Sequence, residues 1–158
     1  MTSILLDTSF LISLTDPNRP HHQTANQYFR ASLAKGIPMY LSAIAISEFQ
    51  VKQAVNDLPL RHFFILPFNI DHAMQAGMLM RNVSRDTGDD RSAVKDDIKL
   101  VAQAVCESIT HVLTEDKNTF AKYMNRLRNA GLSNVRPIVL SDGFDAAWLN
   151  NGQSEIPQ

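Results

Sequence analysis

Ile4-Leu5-Leu6-Asp7-Thr8-Ser9-Phe10-Leu11-Ile12 is an apolar run cut by an acid, followed by two small polar residues and a second apolar run. An apolar run without polar alternation suits a strand covered on both faces, as in a parallel sheet packed between helices. Asp7 then stands where that strand passes into the next element, the position at which open parallel sheets bind their ligands. The stretch is not read as a leader or membrane segment. No basic residue precedes it, no small-residue cleavage site follows it, and its acid falls in a run too short to span a bilayer.

Four further apolar runs, residues 39–41, 63–66, 111–113 and 138–140, read as strands of the same kind. Helical patterns fill the intervals. Pro20 can open a helix in which Ala25, Phe29 and Leu33 recur every fourth residue until Gly36 and Pro38 stop it. Ser42 is expected to cap a helix over 43–55, and Asp71 one that turns Ala73, Met74, Gly77, Met78 and Met80 inward. Ile98, Val101, Ala102, Val105 and Ile109 form another stripe, and Phe120, Met124 and Leu127 a last one ending at Gly131. Alternating strands and helices predict an α/β fold: a central, mainly parallel five-stranded sheet with helices on both faces. Residues 81–95, rich in Arg and Asp, are expected to form an exposed helix end and a solvated loop.

A chain of 158 residues with 44% hydrophobic and 20% charged residues suits one domain. It is expected over 1–145, with a polar C-terminal tail over 146–158. The formal net charge of -1 gives no global attraction to nucleic acid, so such a partner would need a local basic patch or a bridging cation. A single cysteine, Cys106, allows no internal disulfide and is expected as a core residue in a reducing, cytoplasmic setting.

Asp7 and Asp116 both follow strands, Glu48 lies about two turns into the helix after the second strand, and Asp97 near the start of the helix leading to the fourth. Singly, each has a plain explanation: Asp7 or Ser9 as a helix cap, Asp97 or its neighbour Asp96 as another, Glu48 as a solvated helix residue, Asp116 as a turn acid. Together, four carboxylates at one sheet edge would repel one another unless a cation sat among them. Magnesium or manganese meets that need, taking oxygen ligands while keeping several waters. Other chemistries lack their residues. An aspartyl-phosphate phosphatase needs a second Asp where Ser9 stands, no glycine-rich phosphate loop is present, and scattered histidines with one cysteine give no zinc set. His22 is expected in a structural hydrogen bond.

Residues 4–12, Leu41-Ser42-Ala43-Ile44-Ala45-Ile46-Ser47-Glu48-Phe49, Asp97-Ile98-Lys99-Leu100-Val101-Ala102-Gln103-Ala104-Val105, and Leu113-Thr114-Glu115-Asp116 through Phe120 follow one another over nearly the whole chain. In this order they resemble the motifs of PIN-domain nucleases, especially the VapC-type toxins of bacterial toxin-antitoxin pairs. The resemblance implies a PIN-like three-layer fold and a metal-dependent endoribonuclease. Asp7, Glu48, Asp97 and Asp116 would hold Mg2+ or Mn2+, with Ser9 and Thr114 supporting them. It also implies an RNA substrate, a cognate antitoxin and a homodimer, with no membrane partner. Lys117, Lys122 and Arg126 are candidate phosphate contacts, though a solvated helix face explains them equally well. A structure-specific DNA nuclease and a non-catalytic RNA-binding or regulatory module are the alternatives.

Overall fold

The computed structural model describes residues 1–150. Five strands, β1 (Ile4–Leu6), β2 (Met39–Ser42), β3 (Phe64–Leu66), β4 (His111–Thr114) and β5 (Arg136–Val139), form one sheet. It is parallel throughout, in the order β3-β2-β1-β4-β5. Six helices connect and cover the strands: α1 (Thr8–Thr15), α2 (His22–Lys35), α3 (Ala43–Lys52), α4 (Ile70–Arg81), α5 (Arg91–Cys106) and α6 (Phe120–Asn129). This is the three-layer α/β architecture that the alternating pattern predicts.

Strand alternation sorts the two cores. Ile4 and Leu6 point to one face, where they pack with Phe10, Leu11, Tyr28 and Phe49 from α1, α2 and α3. Leu5 points to the other, against Val101, Phe120, Met124 and Leu127 from α5 and α6, with Leu79 of α4 in the same cluster. In register, Leu5 sits between Tyr40 and Val112, so β1 is the central strand. The strand order turns back at β1: β2 and β3 extend it to one side, β4 and β5 to the other. Such a reversal opens a crevice beyond the carboxyl ends of the two adjoining strands, and Asp7 and Asp116 emerge there.

Several local expectations are corrected. Asn69, not Asp71, caps α4: its side chain accepts from the His72 N–H while His72 Nδ1 accepts from the Asn69 N–H. The reciprocal pair satisfies two end groups, so it outcompetes an acid two positions later. Asn69→Ala should therefore cost about 1 kcal/mol of unfolding free energy, and Asp71→Ala a few tenths, in urea titrations. Equal losses would return the cap to Asp71. The buried face of α4 is His72, Ala76 and Leu79, whereas Met74 is 69% exposed and Ala73 and Gly77 face outward. In α2 the inward residues are Ala25, Tyr28 and Ser32; Phe29 is half-buried and Leu33 exposed. Met78 and Met80 are half-buried against the cluster of α5 and α6, as expected, so the inward face is turned only partly from the expected stripe, leaving Ala73, Met74 and Gly77 outside.

β3 also departs from the two-sided burial expected of apolar strands. As an edge strand it leaves Phe64 and Ile65 largely exposed. Cys106 is the last residue of α5 and exposed, not in the core. A short 3₁₀ turn, Ala146–Leu149, continues the packing: Leu149 is buried with Trp148 against the α1–α3 core. The rest of the expected tail, 151–158, lies outside the described residues. Among those described, no helix is long and apolar enough to cross a membrane.

Candidate active site

Asp7 is the most constrained of the four acids. It directly follows β1, its N–H donates to the Leu113 carbonyl of β4 (3.1 Å), and it is 6% exposed. Its Oδ1 accepts from the Thr8 N–H (2.8 Å), so it caps α1. Its Oδ2 accepts from the Ser9 hydroxyl (2.7 Å) and the Thr114 hydroxyl (2.8 Å). Capping and site roles therefore coexist on two oxygens of one group. Burial nevertheless pushes its pKa up, outweighing these hydrogen bonds, and the Asp116 charge adds to the rise.

Ser9 and Thr114, expected as supporting residues, hold the two strand ends together. The Glu115 N–H donates to Ser9 Oγ (2.9 Å) and the Asp116 N–H to Thr114 Oγ1 (2.9 Å), so the turn after β4 is built on the same two hydroxyls that orient Asp7. Asp116 in turn accepts from the Thr119 N–H (2.9 Å), which fixes its carboxylate at the approach to α6. Glu48, in the second turn of α3, accepts from the Thr8 hydroxyl at 3.2 Å. Its pKa is raised by burial first, then by the charges of Asp7 and Asp96.

Asp97 enters from the opposite layer. Rather than opening α5, it lies in the second turn; the helix begins six residues earlier, where Asp90 accepts from the Ala93 N–H (2.7 Å). The apolar period already includes Val94, so a cap at Asp96 or Asp97 was misplaced by almost two turns. Asp96 is no cap; it pairs with Lys99 at 3.6 Å. Asp97, half-buried, has no hydrogen-bond or ion-pair partner among the described residues. Its pKa is pushed up to about 9 by burial and by the charges of Asp7, Asp116, Glu48 and Asp96, in that order. Asp97 thus feels the charges of the other three expected acids.

The donor set suits a hard divalent cation. Asp7 and Asp116 stand at the switch of the sheet, Glu48 is tied to Thr8 beside Asp7, and Asp97 feels the charges of all three; none of the four forms an ion pair with a lysine or arginine among the described residues. Among those residues no three acidic, histidine or cysteine side chains crowd closely enough to grip one ion jointly. Magnesium does not require that: it takes one or two direct carboxylates and reaches others through water.

The expected phosphate contacts fare differently. Lys122 bonds Asp86 (3.0 Å) and Asp89 (2.7 Å), and Arg126 bonds Asp86 (2.8 Å). Tyr123 Oη donates to Asp89 and accepts from the Asp86 N–H. Residues 85–89 therefore fold back onto α6 instead of forming a solvated loop, and the two cations hold the Asp86 carboxyl below the usual range. Lys117 makes an exposed pair with Asp142 (3.3 Å), an arrangement worth little in water. Arg19 and Glu115, which sequence reasoning passed over, adjoin the site instead: Arg19 Nη2 donates to Glu115 Oε2 at 3.3 Å, and Ser13 Oγ donates to the same oxygen. Only their distance in the chain, 96 residues, hid the pairing. His22 Nδ1 lies 2.8 Å from the Ser13 carbonyl, the structural bond expected of it.

No protein-family model matches the sequence, and no curated protein matches it. Solved structures do. A chain of VapBC2 from Rickettsia felis, bound to a DNA fragment from its promoter, superposes with a TM-score of 0.59 at 14% identity, covering 87% of this chain and 99% of that one. VapC20 from Mycobacterium tuberculosis, described as a sarcin-ricin loop cleaving toxin, gives 0.58 at 21% identity over 85% of this chain and 100% of that one. A chain of DNA-bound VapBC from Salmonella typhimurium gives 0.53 at 16% identity over 89% and 99%. At such identities the likeness establishes the fold: the chain has the PIN fold of these VapC structures.

Proposed function

We propose that this chain is a divalent-metal-dependent endoribonuclease of the VapC type, acting in the cytoplasm. The observation that carries the reading is Asp97: a carboxyl that feels the charges of the three others, with no ion-pair partner among the described residues and its pKa pushed up to about 9. Such an arrangement opposes folding unless it does something else, and binding a cation is the use that four acids share. Asp7, Glu48, Asp97 and Asp116 would hold Mg2+ or Mn2+. When bound, an ion of this kind acidifies water and offsets negative charge growing on a phosphate.

The chain's own groups have distinct parts. Asp7, gripped by Thr8, Ser9 and Thr114, presents a carboxylate of fixed orientation, and Asp116, tied to the Thr119 N–H, presents another. Glu48 and Asp97 face them from α3 and α5 and would take up or release protons as a ligand arrives. This preorganisation is what holds reacting groups in line in phosphoryl chemistry. The fold of VapC20, a sarcin-ricin loop cleaving toxin, supports RNA as the substrate. The two VapBC complexes support an antitoxin as partner. Exposed Phe64, Ile65, Ile70 and Met74, on β3 and α4, supply apolar surface suited to such a partner or to a second copy of the chain.

The test is a panel of single-stranded RNA, structured RNA and branched or flapped DNA incubated with purified protein in Mg2+, Mn2+ or excess EDTA. RNA should be cut internally in either metal and left intact in EDTA. Cutting that persists in EDTA would remove the metal from the reaction. Cutting of DNA alone would make the chain a structure-specific DNA nuclease, and binding of RNA without cutting a regulatory module.

A further inference from the structure

A cleft of about 400 Å³ opens beside the carboxylates, bordered by Ser9, Arg19, Glu115, Asp116, Lys117 and Asn118. That volume falls within the range of ligand sites, about 300–1,000 Å³. Two of its walls belong to the site already described: Ser9 bonds Asp7, and Asp116 is one of the four acids. The cleft is thus a continuation of the crevice beyond the ends of β1 and β4.

An anionic strand approaching four carboxylates meets repulsion, so something near them must attract it. Lys122 and Arg126 are occupied by Asp86 and Asp89. Arg19 is placed otherwise. The turn after α1 fixes its backbone: its N–H donates to the Asp16 carbonyl (3.1 Å) and its carbonyl accepts from the His22 N–H (3.1 Å). Its side chain is held from one side only: Nη2 donates to Glu115 Oε2, the oxygen that also accepts from Ser13. Nε is buried and has no hydrogen-bond partner among the described residues. A guanidinium carries five donors in a planar fork, and one bond to a carboxylate oxygen leaves the fork open to a second anion. Lys117 stands on the same cleft, its pair with Asp142 exposed and easily exchanged.

We infer that this cleft is a phosphate-binding subsite, in which Arg19, assisted by Lys117, holds the backbone of the RNA strand next to the bond to be cut. The inference rests on the nuclease reading above. Arg19 is a positioning residue: it binds a phosphate that does not react, so it acts on substrate affinity more than on the chemical step.

The experiment compares wild type, Arg19→Ala and Arg19→Gln on a fluorescein-labelled single-stranded RNA of mixed sequence. Initial rates in Mg2+ should show KM raised about tenfold with kcat within about threefold, the pattern of lost uniform binding. Anisotropy titrations without cleavage, in EDTA across a salt series, should give a log–log salt slope shallower by about 0.7, one phosphate contact on a single strand. Arg19→Gln keeps a donor for Glu115, so it separates loss of the charge from collapse of the turn. If it binds RNA as wild type does while Arg19→Ala fails, the role is structural and the inference is overturned. Unchanged KM and salt slope in both variants overturn it as well. Wild type that binds RNA with an Arg19-dependent slope yet cuts nothing would sink the nuclease reading and leave the subsite standing.

Discussion

Asp97→Asn is expected to lower metal-dependent RNA cleavage at least ~100-fold, the upper end for losing a group that holds or orients a metal, while leaving the fold intact or more stable. Both halves come from its surroundings. No described residue donates a hydrogen bond to Asp97, so the amide forfeits no structural contact. The carboxyl is opposed by burial and by four neighbouring acids, so below its raised pKa folding must protonate it, a cost that the neutral amide avoids. Asp96→Asn is the control. Successive helical residues are ~100° apart, and Asp96 turns toward Lys99, touching the site only through its charge. Its effect on rate should stay below about tenfold, as through-space interactions between half-exposed groups are weak. The comparison needs single-turnover rates and melting curves for both variants without metal. Near-wild-type cleavage by Asp97→Asn, or the larger loss in Asp96→Asn, would place the wrong aspartate in the crevice.

How far the sequence could be read depended on whether a feature had one physical solution or several. Continuous apolar runs such as residues 4–6 and 111–113 have one solution, a strand covered on both sides, and β1 and β4 lie there with every residue buried. Asp7, the acid directly after β1, follows from topology; after β4 the chain offers Glu115 and then Asp116, and topology alone does not choose between them. Helix faces were harder. The α4 segment offers two interleaved stripes, and only its neighbours in space decide that Ala76 and Leu79 go in while Met74 stays out. Helix starts failed where a better cap stood nearby: Asn69 beats Asp71 by its reciprocal bond with His72, and Asp90 beats Asp96 because Val94 already belongs to the buried stripe. The pairing of Lys122 and Arg126 with Asp86 and Asp89 was out of reach, because nothing local says that a loop some 33 to 40 residues upstream will lie along α6. The loop mixes Arg85 and Arg91 with Asp86, Asp89 and Asp90, so its charges point to no single basic partner, and charge complementarity without a contact map is a weak signal.

Raising the pH from 7 to 9 in EDTA should lower the melting temperature of the wild-type protein, and adding Mg2+ should reverse the trend. Asp7, Glu48 and Asp97 all have pKa values raised above their ordinary 3.8, 4.5 and 3.8, Asp97 to about 9. In the window between unfolded and folded values the folded state holds more protons than the unfolded one, so stability falls as pH rises through it. Below pH 6.5 a second group obscures this. Burial, then Arg136 and Arg128, lower the His111 pKa from 6.5 to about 4, so there the unfolded state binds the extra proton and stability rises with pH. Well above 6.5 His111 is neutral in both states and the carboxyls set the slope, joined near pH 9 by Cys106, whose thiol burial pushes up from 9.0 and which acts in the same direction. One proton sets a limit of about 1.4 kcal/mol per pH unit for the contribution of Asp97. Asp97→Asn should flatten most of the slope, since the group that titrates highest is gone. Magnesium selects the ionised carboxylates, so its binding releases protons and strengthens as pH rises. Its stabilisation should therefore be larger at pH 9 than at pH 7 and nearly absent in Asp97→Asn. Scanning calorimetry at pH 7, 8 and 9, with EDTA or Mg2+, reads all of this without any substrate. A wild-type profile flat in EDTA, or equally steep in Asp97→Asn, would mean that the four acids do not share one crevice as their mutual charges require.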